Sequence, residues 1–413
     1  MKIVQISGFD TLGIQVNGYL LHEYYLSEGH DSIMFVHEKH SDDPRVFSLY
    51  SKWLRYLNVR MQKIGTALSL WSVFPIEGYR LLFSRKVRQA DVLHLQLTYN
   101  AQFFSLFMIA LISWLRWNKP TLVAIHDMFM TTGHCVYSMG CERWQSGCGK
   151  CPHKTTPFPI RHDVTRLAWL IRRLVFGLAR VHLIVGSPWQ QRMLARSPIL
   201  ARKLSHYIPY GVDTSKYYIK DKRVCRERFG IPEDADVISF RSVPYGTNFK
   251  GTHFIIAALK DFVPRRKTYL LTFEGQGGLD ALSGKFEIIQ LPWTNNDQEM
   301  LSDALNAADI FLMPSVQEAF GLMAMEALAC GTPVITFRGT ALEETIDAPR
   351  CGIAVEMGNS AQLKDAIETL FNDDGLRYKM AENGLCLLER HHTLPIYAGR
   401  FLELYRRLSA KAS

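Results

Sequence analysis

Glu318 and Glu326 stand in a Glu-x7-Glu spacing within Pro314-Ser-Val-Gln-Glu-Ala-Phe-Gly-Leu-Met-Ala-Met-Glu-Ala-Leu-Ala-Cys-Gly-Thr-Pro333. A helix starting near Gly321 can run to Gly331, where glycine suits the position beyond the last turn and Pro333 forbids continuation. Such a helix aims unpaired N–H groups and its positive dipole end at the space before it, which makes a phosphate site. Glu326, about one turn into the helix, can accept two hydrogen bonds from a ribose diol, and Glu318, in the loop ahead, can accept from sugar hydroxyls. A departing phosphate group develops negative charge, which cations and backbone donors must neutralise. Arg241, closing the run Val237-Ile-Ser-Phe-Arg241, and Lys250-Gly251, ahead of a helical pattern, are the candidates. Asp234-Ala-Asp236 has the pattern of a metal-binding Asp-x-Asp, but it lies before the N-terminal end of a strand, opposite the expected site, and reads as a turn. No catalytic metal is expected.

A second group of reactive side chains lies earlier: Cys135-x5-Cys141-x6-Cys148-x2-Cys151, with His134 and His153 beside it. The last pair has zinc-site spacing and the other gaps do not, so structural zinc at Cys135, Cys141, Cys148 and Cys151 stands beside free or redox-capable thiols in a long loop.

These residues need elements to hold them. Apolar runs at 2–7, 32–37, 91–96, 121–126 and 182–186 alternate with helical patterns, and a second series follows at 237–241, 268–273, 286–291, 310–313 and 333–337. Short continuous apolar strands separated by helices imply parallel sheets covered on both faces. The reading is therefore α/β, with two doubly wound domains, 1–207 and 208–392, and a terminal helical segment at 393–413. A length of 413 residues suits two cores. Hydrophobic residues at 47% and charged residues at 21% are globular values.

The apolar run 103–115 is too short to span a bilayer and reads as a buried helix. The start of the chain reads as a strand entering a glycine turn, not a signal peptide, so a cytoplasmic protein is expected. The net charge of +9 is concentrated in part in two basic and apolar stretches, 80–88 and 166–180. The second reads either as an amphipathic helix resting on anionic lipid at the inner face of the plasma membrane or as a core helix with a solvated basic face.

The context of the two glutamates, Pro-Ser-x-x-Glu-x-Phe-Gly-x-x-x-x-Glu-Ala-x-Ala-x-Gly-x-Pro-Val directly after Ala308-Asp-Ile-Phe-Leu312, resembles the acidic-pair motif of the family-4 retaining glycosyltransferases of group-1 type. The resemblance covers almost the whole chain and is strongest from 208 to 352. It implies the GT-B fold, two Rossmann-like domains facing across a cleft, with the terminal helix returning to the N-terminal, acceptor-side domain. It further implies that Glu326 binds ribose, that Glu318 binds the donor sugar, and that the backbone of Phe320, Gly321 and Leu322 lies near sugar and phosphate. Arg241 and Lys250 correspond to the family's diphosphate-flanking Arg and Lys-Gly, although the segment 242–249 is longer than usual. His126, closing the run 121–126, matches a family histidine near the donor sugar. Gly13 matches the glycine turn near the phosphates and acceptor, without the usual double glycine.

The implied reaction is retaining transfer of a sugar from a nucleoside-diphosphate sugar to a hydroxyl of a lipid-linked saccharide, as in bacterial surface-polysaccharide assembly, with no cofactor required and no nucleic-acid partner. A nucleotide-sugar epimerase of the same fold and a non-catalytic carbohydrate-binding scaffold are the competing readings. The intact set of Lys250, Glu318 and Glu326 speaks against the scaffold.

Overall fold

The first strand, β1 (Lys2–Phe9), is buried along six consecutive positions from Ile3 to Gly8. A strand buried on both faces belongs in a parallel sheet covered by helices. The computed structural model describes residues 1–410 apart from 14–15, 17, 50–51, 97–102, 156–158, 244–247, 275–277 and 293–296. The chain packs as two units, Met1–Ile208 with Tyr397–Ser413, and Pro209–Ile396.

In the first unit, β1 is followed by β2 (Asp31–Glu38), β3 (Val46–Ser48), β4 (Val92–Leu95), β5 (Thr121–Ile125), β6 (His182–Val185) and β7 (Ser205–Tyr207). All pair in parallel in the order β3-β2-β1-β4-β5-β6-β7. The second unit holds β8 (Asp236–Arg241), β9 (Thr268–Phe273), β10 (Glu287–Leu291), β11 (Ile310–Met313), β12 (Val334–Phe337) and β13 (Gly352–Val355). These are parallel in the order β10-β9-β8-β11-β12-β13, the doubly wound arrangement in which ligands bind where the order reverses. Register is set by the buried runs: Ile310 faces Ile238, and Leu312 faces Phe240.

Helices cover these sheets. In the second unit Ile255 and Leu259 of helix Thr252–Asp261, with Leu363, Ile367 and Leu370 of helix Ser360–Asn372, close on Ile238, Phe240, Ile335 and Phe337. Burying each such side chain is worth about 1.5–3 kcal/mol. The helix Leu322–Ala329 ends as its sequence requires. Gly331 takes φ 73 and donates to the Leu328 carbonyl, while the Thr332 N–H reaches the Ala327 carbonyl.

The apolar run at 103–115 differs from its expectation as a buried helix. Helix Leu106–Leu115 buries Met108, Ile109 and Ile112 but leaves Leu111, Trp114 and Leu115 exposed. Helix Thr165–Leu178 beside it buries Trp169, Arg172, Val175 and Phe176, yet turns Leu167, Leu170, Leu174 and Leu178 to solvent beside exposed Arg166 and Arg173. Trp114 ties the two helices, its indole N–H donating to the Leu178 carbonyl at 2.8 Å. Apolar periodicity locates a helix, but what packs against it decides which face is covered. No helix among the described residues is long and apolar enough to cross a membrane.

Candidate active site

In the second unit the chain leaves β8 toward β9 and leaves β11 toward β12, so adjacent strands send their following loops in opposite directions. A crevice opens at such a switch point. The loop after β8 carries Lys250, and the loop after β11 carries Glu318 and Gly321.

Two backbone features press these loops together. The Val316 N–H donates to the Phe249 carbonyl at 2.7 Å. Gly251, at φ 77, lies so close to Pro314 that an added Cβ would stand 1.9 Å from its carbonyl oxygen; only glycine fits there. The ammonium of Lys250 consequently donates to Glu318 Oε2 at 2.7 Å, with side chains 19% and 10% exposed.

Gly321 follows at φ 95, where a Cβ would meet Leu342 Cδ2 at 2.1 Å. It opens helix Leu322–Ala329 with no side-chain cap, leaving the helix start to backbone donors and dipole. Glu326 lies on this helix and is only 6% exposed. Burial, with the Glu326 carboxylate nearby, pushes the Tyr217 hydroxyl far above its usual range and keeps it a donor. The Phe320 ring is packed edge-on against Tyr210 at 5.0 Å and beside His392 at 5.9 Å, so its side chain serves the core and its backbone is what faces the loop.

Arg241 closes β8 but turns the other way. It pairs with Glu274 Oε2 at 2.7 Å, at the end of β9. The structure thus joins Lys250 to Glu318 on the β11 side and Arg241 to Glu274 on the β9 side. Residues 244–247 of the long segment between the two cations lie outside the described residues. Asp236 begins β8 and pairs with Arg266 at 3.3 Å, at the opposite end of the strand.

Sequence reading passed over Tyr217, and also Ser242 and Ser315 at the ends of β8 and β11. Both serine hydroxyls are buried without a hydrogen-bond partner among the described residues. Nothing in their local sequence marks them; only the meeting of the two loops does.

The first unit has its own switch point between β1 and β4. Gly13 turns there at φ 67, its carbonyl accepting from the Val16 N–H at 3.0 Å. Beneath it the Gln96 amide donates to Gln5 Oε1 at 2.9 Å, and the Gln5 amide to the Gly18 carbonyl at 3.0 Å. His94, fully buried, bonds Tyr405 of the terminal helix Leu394–Ala410 at 2.7 Å, which makes it a packing histidine. His126 follows β5 directly, half-buried, and loss of solvation brings its pKa down to about 4. At neutral pH its imidazole is uncharged, one nitrogen a donor and the other an acceptor. His126 and Gly13 therefore sit at strand ends of the first sheet, and the set Lys250, Glu318 and Glu326 at strand ends of the second.

Two parallel, doubly wound sheets in one chain, of seven and six strands, have the architecture of the GT-B fold. Residues 223–385 match the family glycosyl transferases group 1. The D-inositol 3-phosphate glycosyltransferase of Corynebacterium jeikeium is 30% identical over 191 residues, 42% of this chain and 45% of the relative. The chain spans about half the length of the curated relatives it matches. Among solved structures, sucrose-phosphate synthase from Thermosynechococcus elongatus superposes with a TM-score of 0.69 at 19% identity, covering 99% of both chains. Anabaena HepE in complex with UDP gives 0.66 at 14% identity, covering 99% of this chain and 100% of that one.

Proposed function

We propose that the chain transfers a sugar, with retained anomeric configuration, from a nucleoside-diphosphate sugar to a hydroxyl of a membrane-held saccharide acceptor. The observation that carries the reading is the Lys250–Glu318 pair at 2.7 Å, held at the second switch point beside a glycine-started helix that bears buried Glu326. A carboxylate for sugar hydroxyls, a cation that a phosphate can share and a carboxylate for a ribose diol are what a nucleotide sugar needs, since its diphosphate stands between sugar and ribose. The UDP complex of HepE and the group 1 match at 223–385 support the donor class.

In this mechanism the bond between the anomeric carbon and the phosphate oxygen breaks, its electron pair leaving with the diphosphate. Lys250 and the N–H groups at Gly321 and Leu322 stabilise that charge. The acceptor oxygen attacks the same face, and its proton passes to the departing phosphate oxygen. Glu318, engaged with Lys250, orients the sugar and is not the nucleophile. Neutral His126 donates to the sugar or a phosphate oxygen, and Arg241, drawn from Glu274, adds charge beside Lys250. With charge handled this way, added Mg²⁺ or Mn²⁺ leaves turnover unchanged.

The acceptor class rests on the first unit. Leucines 167, 170, 174 and 178, with Leu111 and Trp114, form an exposed apolar surface flanked by Arg166, Arg173 and Arg180. Exposed apolar area ringed by arginine matches an anionic lipid surface in both apolar character and charge. The protein accordingly works at the cytoplasmic face of a membrane, on an acceptor carried by a lipid such as those of surface-polysaccharide assembly.

The deciding experiment is a thermal-shift screen with UDP, GDP, ADP and their sugars, repeated on Glu326→Gln. A ligand at about 100 times its Kd stabilises the folded chain by about 2.7 kcal/mol. One nucleotide series raising the midpoint, an effect cut to about half or less in the variant, is the expected result. No response to any series sinks the donor assignment.

A further inference from the structure

Between β5 and helix Thr165–Leu178 runs a stretch of roughly 40 residues, far longer than an ordinary connection, whose described regular structure is the single 3-10 turn Arg143–Gln145. A stretch of that kind needs something besides apolar burial to hold it. Its cysteines converge: His134, Cys135, Cys141, Cys148 and Cys151 all line one pocket. The ligand atoms of His134, Cys135 and Cys151 lie within 4.8 Å of one another, with His134 Nδ1 and Cys135 Sγ 3.7 Å apart. Tetrahedral zinc, with bonds of about 2.3 Å to sulfur and about 2.0–2.1 Å to nitrogen, places its ligand atoms roughly 3.5–3.8 Å from each other. Small side-chain rotations close that difference.

We infer that this pocket is a structural zinc site with a Cys3His ligand set, Cys135, Cys148, Cys151 and His134, which staples the long loop to helix Thr165–Leu178. Three further observations fit. Cys148, Gly149 and Lys150 take φ 55, 90 and 49, a left-handed turn that is costly for the two non-glycine residues and persists where the surroundings hold it. The Gly133 N–H donates to Cys148 Sγ at 3.3 Å, as outer-shell donors do around metal thiolates. Arg172, 1% exposed, donates to the Gly133 carbonyl at 2.8 Å and lies over the Phe129 ring at 4.3 Å. A buried guanidinium needs a counter-charge, and zinc with three thiolates carries a formal charge of −1. Zinc binding releases the thiol protons to solvent, leaving that anion beside the arginine.

The staple reaches the helix that closes the loop. The Gly149 N–H donates to Thr165 Oγ1 at 3.0 Å, and Trp169 donates to the Trp144 carbonyl at 2.8 Å; both acceptor and donor on the far side belong to the leucine-bearing helix. At its other end the loop begins at His126. The metal therefore fixes this connection against the helix that carries the exposed apolar surface. It does so whether or not the chain transfers sugar.

The test is metal analysis of the full chain purified under reducing conditions without chelator. A single equivalent of zinc is expected, kept in Cys141→Ser and Cys386→Ser and lost in Cys148→Ser and in Cys135→Ser/Cys151→Ser. Because those variants can misfold, the wild-type protein is also treated with a zinc chelator. Proteolysis within 127–164 should then accelerate at least tenfold and return to its original rate on adding zinc, with overall helicity kept. Metal-free protein that takes up no zinc with its thiols reduced overturns the proposal, as does a disulfide between Cys135 and Cys151 in anaerobically purified material. Zinc lost in Cys141→Ser but kept in Cys148→Ser overturns the ligand set.

Discussion

Lys250 and Glu318 neutralise one another at 2.7 Å with little solvent contact, so removing one leaves the other a poorly hydrated charge. Under the proposed mechanism Lys250→Ala lowers turnover about 100- to 1000-fold, the usual cost of losing one charge-stabilising donor. The double variant Lys250→Ala/Glu318→Gln, which strands no charge, should recover the melting temperature and not the turnover; recovery of both would place the pair outside the chemistry. Glu326→Gln is expected to weaken nucleotide binding by one to two orders of magnitude in calorimetry, the worth of about 1.5–3 kcal/mol for hydrogen bonds to a charged acceptor. Gly251 is a different kind of residue, holding φ 77 with a carbonyl oxygen where its Cβ would go. Gly251→Ala should lower the unfolding free energy in urea by more than about 1 kcal/mol, and loop separation should cost turnover along with it.

At the scale of elements, helix Thr165–Leu178 is apolar on two faces, and the covered one already satisfies the fold. Replacing Leu170 and Leu174, 46% and 58% exposed, by Asp is therefore expected to abolish sedimentation with anionic liposomes while shifting unfolding by no more than about 0.5 kcal/mol per site. A variant that still sediments would place the lipid contact elsewhere. The terminal helix is bound to the first sheet through His94 and Tyr405. Burial, with some repulsion from His126, lowers the His94 pKa from 6.5 to about 3. Between those two values the unfolded chain holds a proton that the folded chain does not, so stability falls as pH drops through that window. Melting temperature should decline from pH 7 toward pH 5, less steeply in His94→Gln, as read by calorimetry at matched ionic strength.

For the whole molecule, under the proposed membrane association, a net charge of +9 joined to exposed leucines makes that contact part electrostatic and part apolar. Sedimentation with anionic vesicles should weaken but persist at high salt, since screening removes only the first contribution; no salt dependence would remove the arginines from the contact. How the architecture arises is largely local. Strands such as 2–7, 268–273 and 310–313 are short apolar runs bounded by turn residues, and their alternation with helical patterns is enough to read two parallel, doubly wound sheets. Three of the four edge strands are not legible in the sequence. Val46–Ser48 and Ser205–Tyr207 have three residues each, and Gly352–Val355 four, too few for a period to show. The motif around Glu318 and Glu326, and the glycine that ends its helix, likewise stand in the sequence by themselves. The tertiary structure alone decided that Lys250 meets Glu318 while Arg241 meets Glu274, that Tyr217 comes beside Glu326, that Arg172 is buried at the cysteines, and that four leucines face solvent. Each depends on loops and faces brought together from distant points of the chain, and local propensity carries no information about which partner waits there.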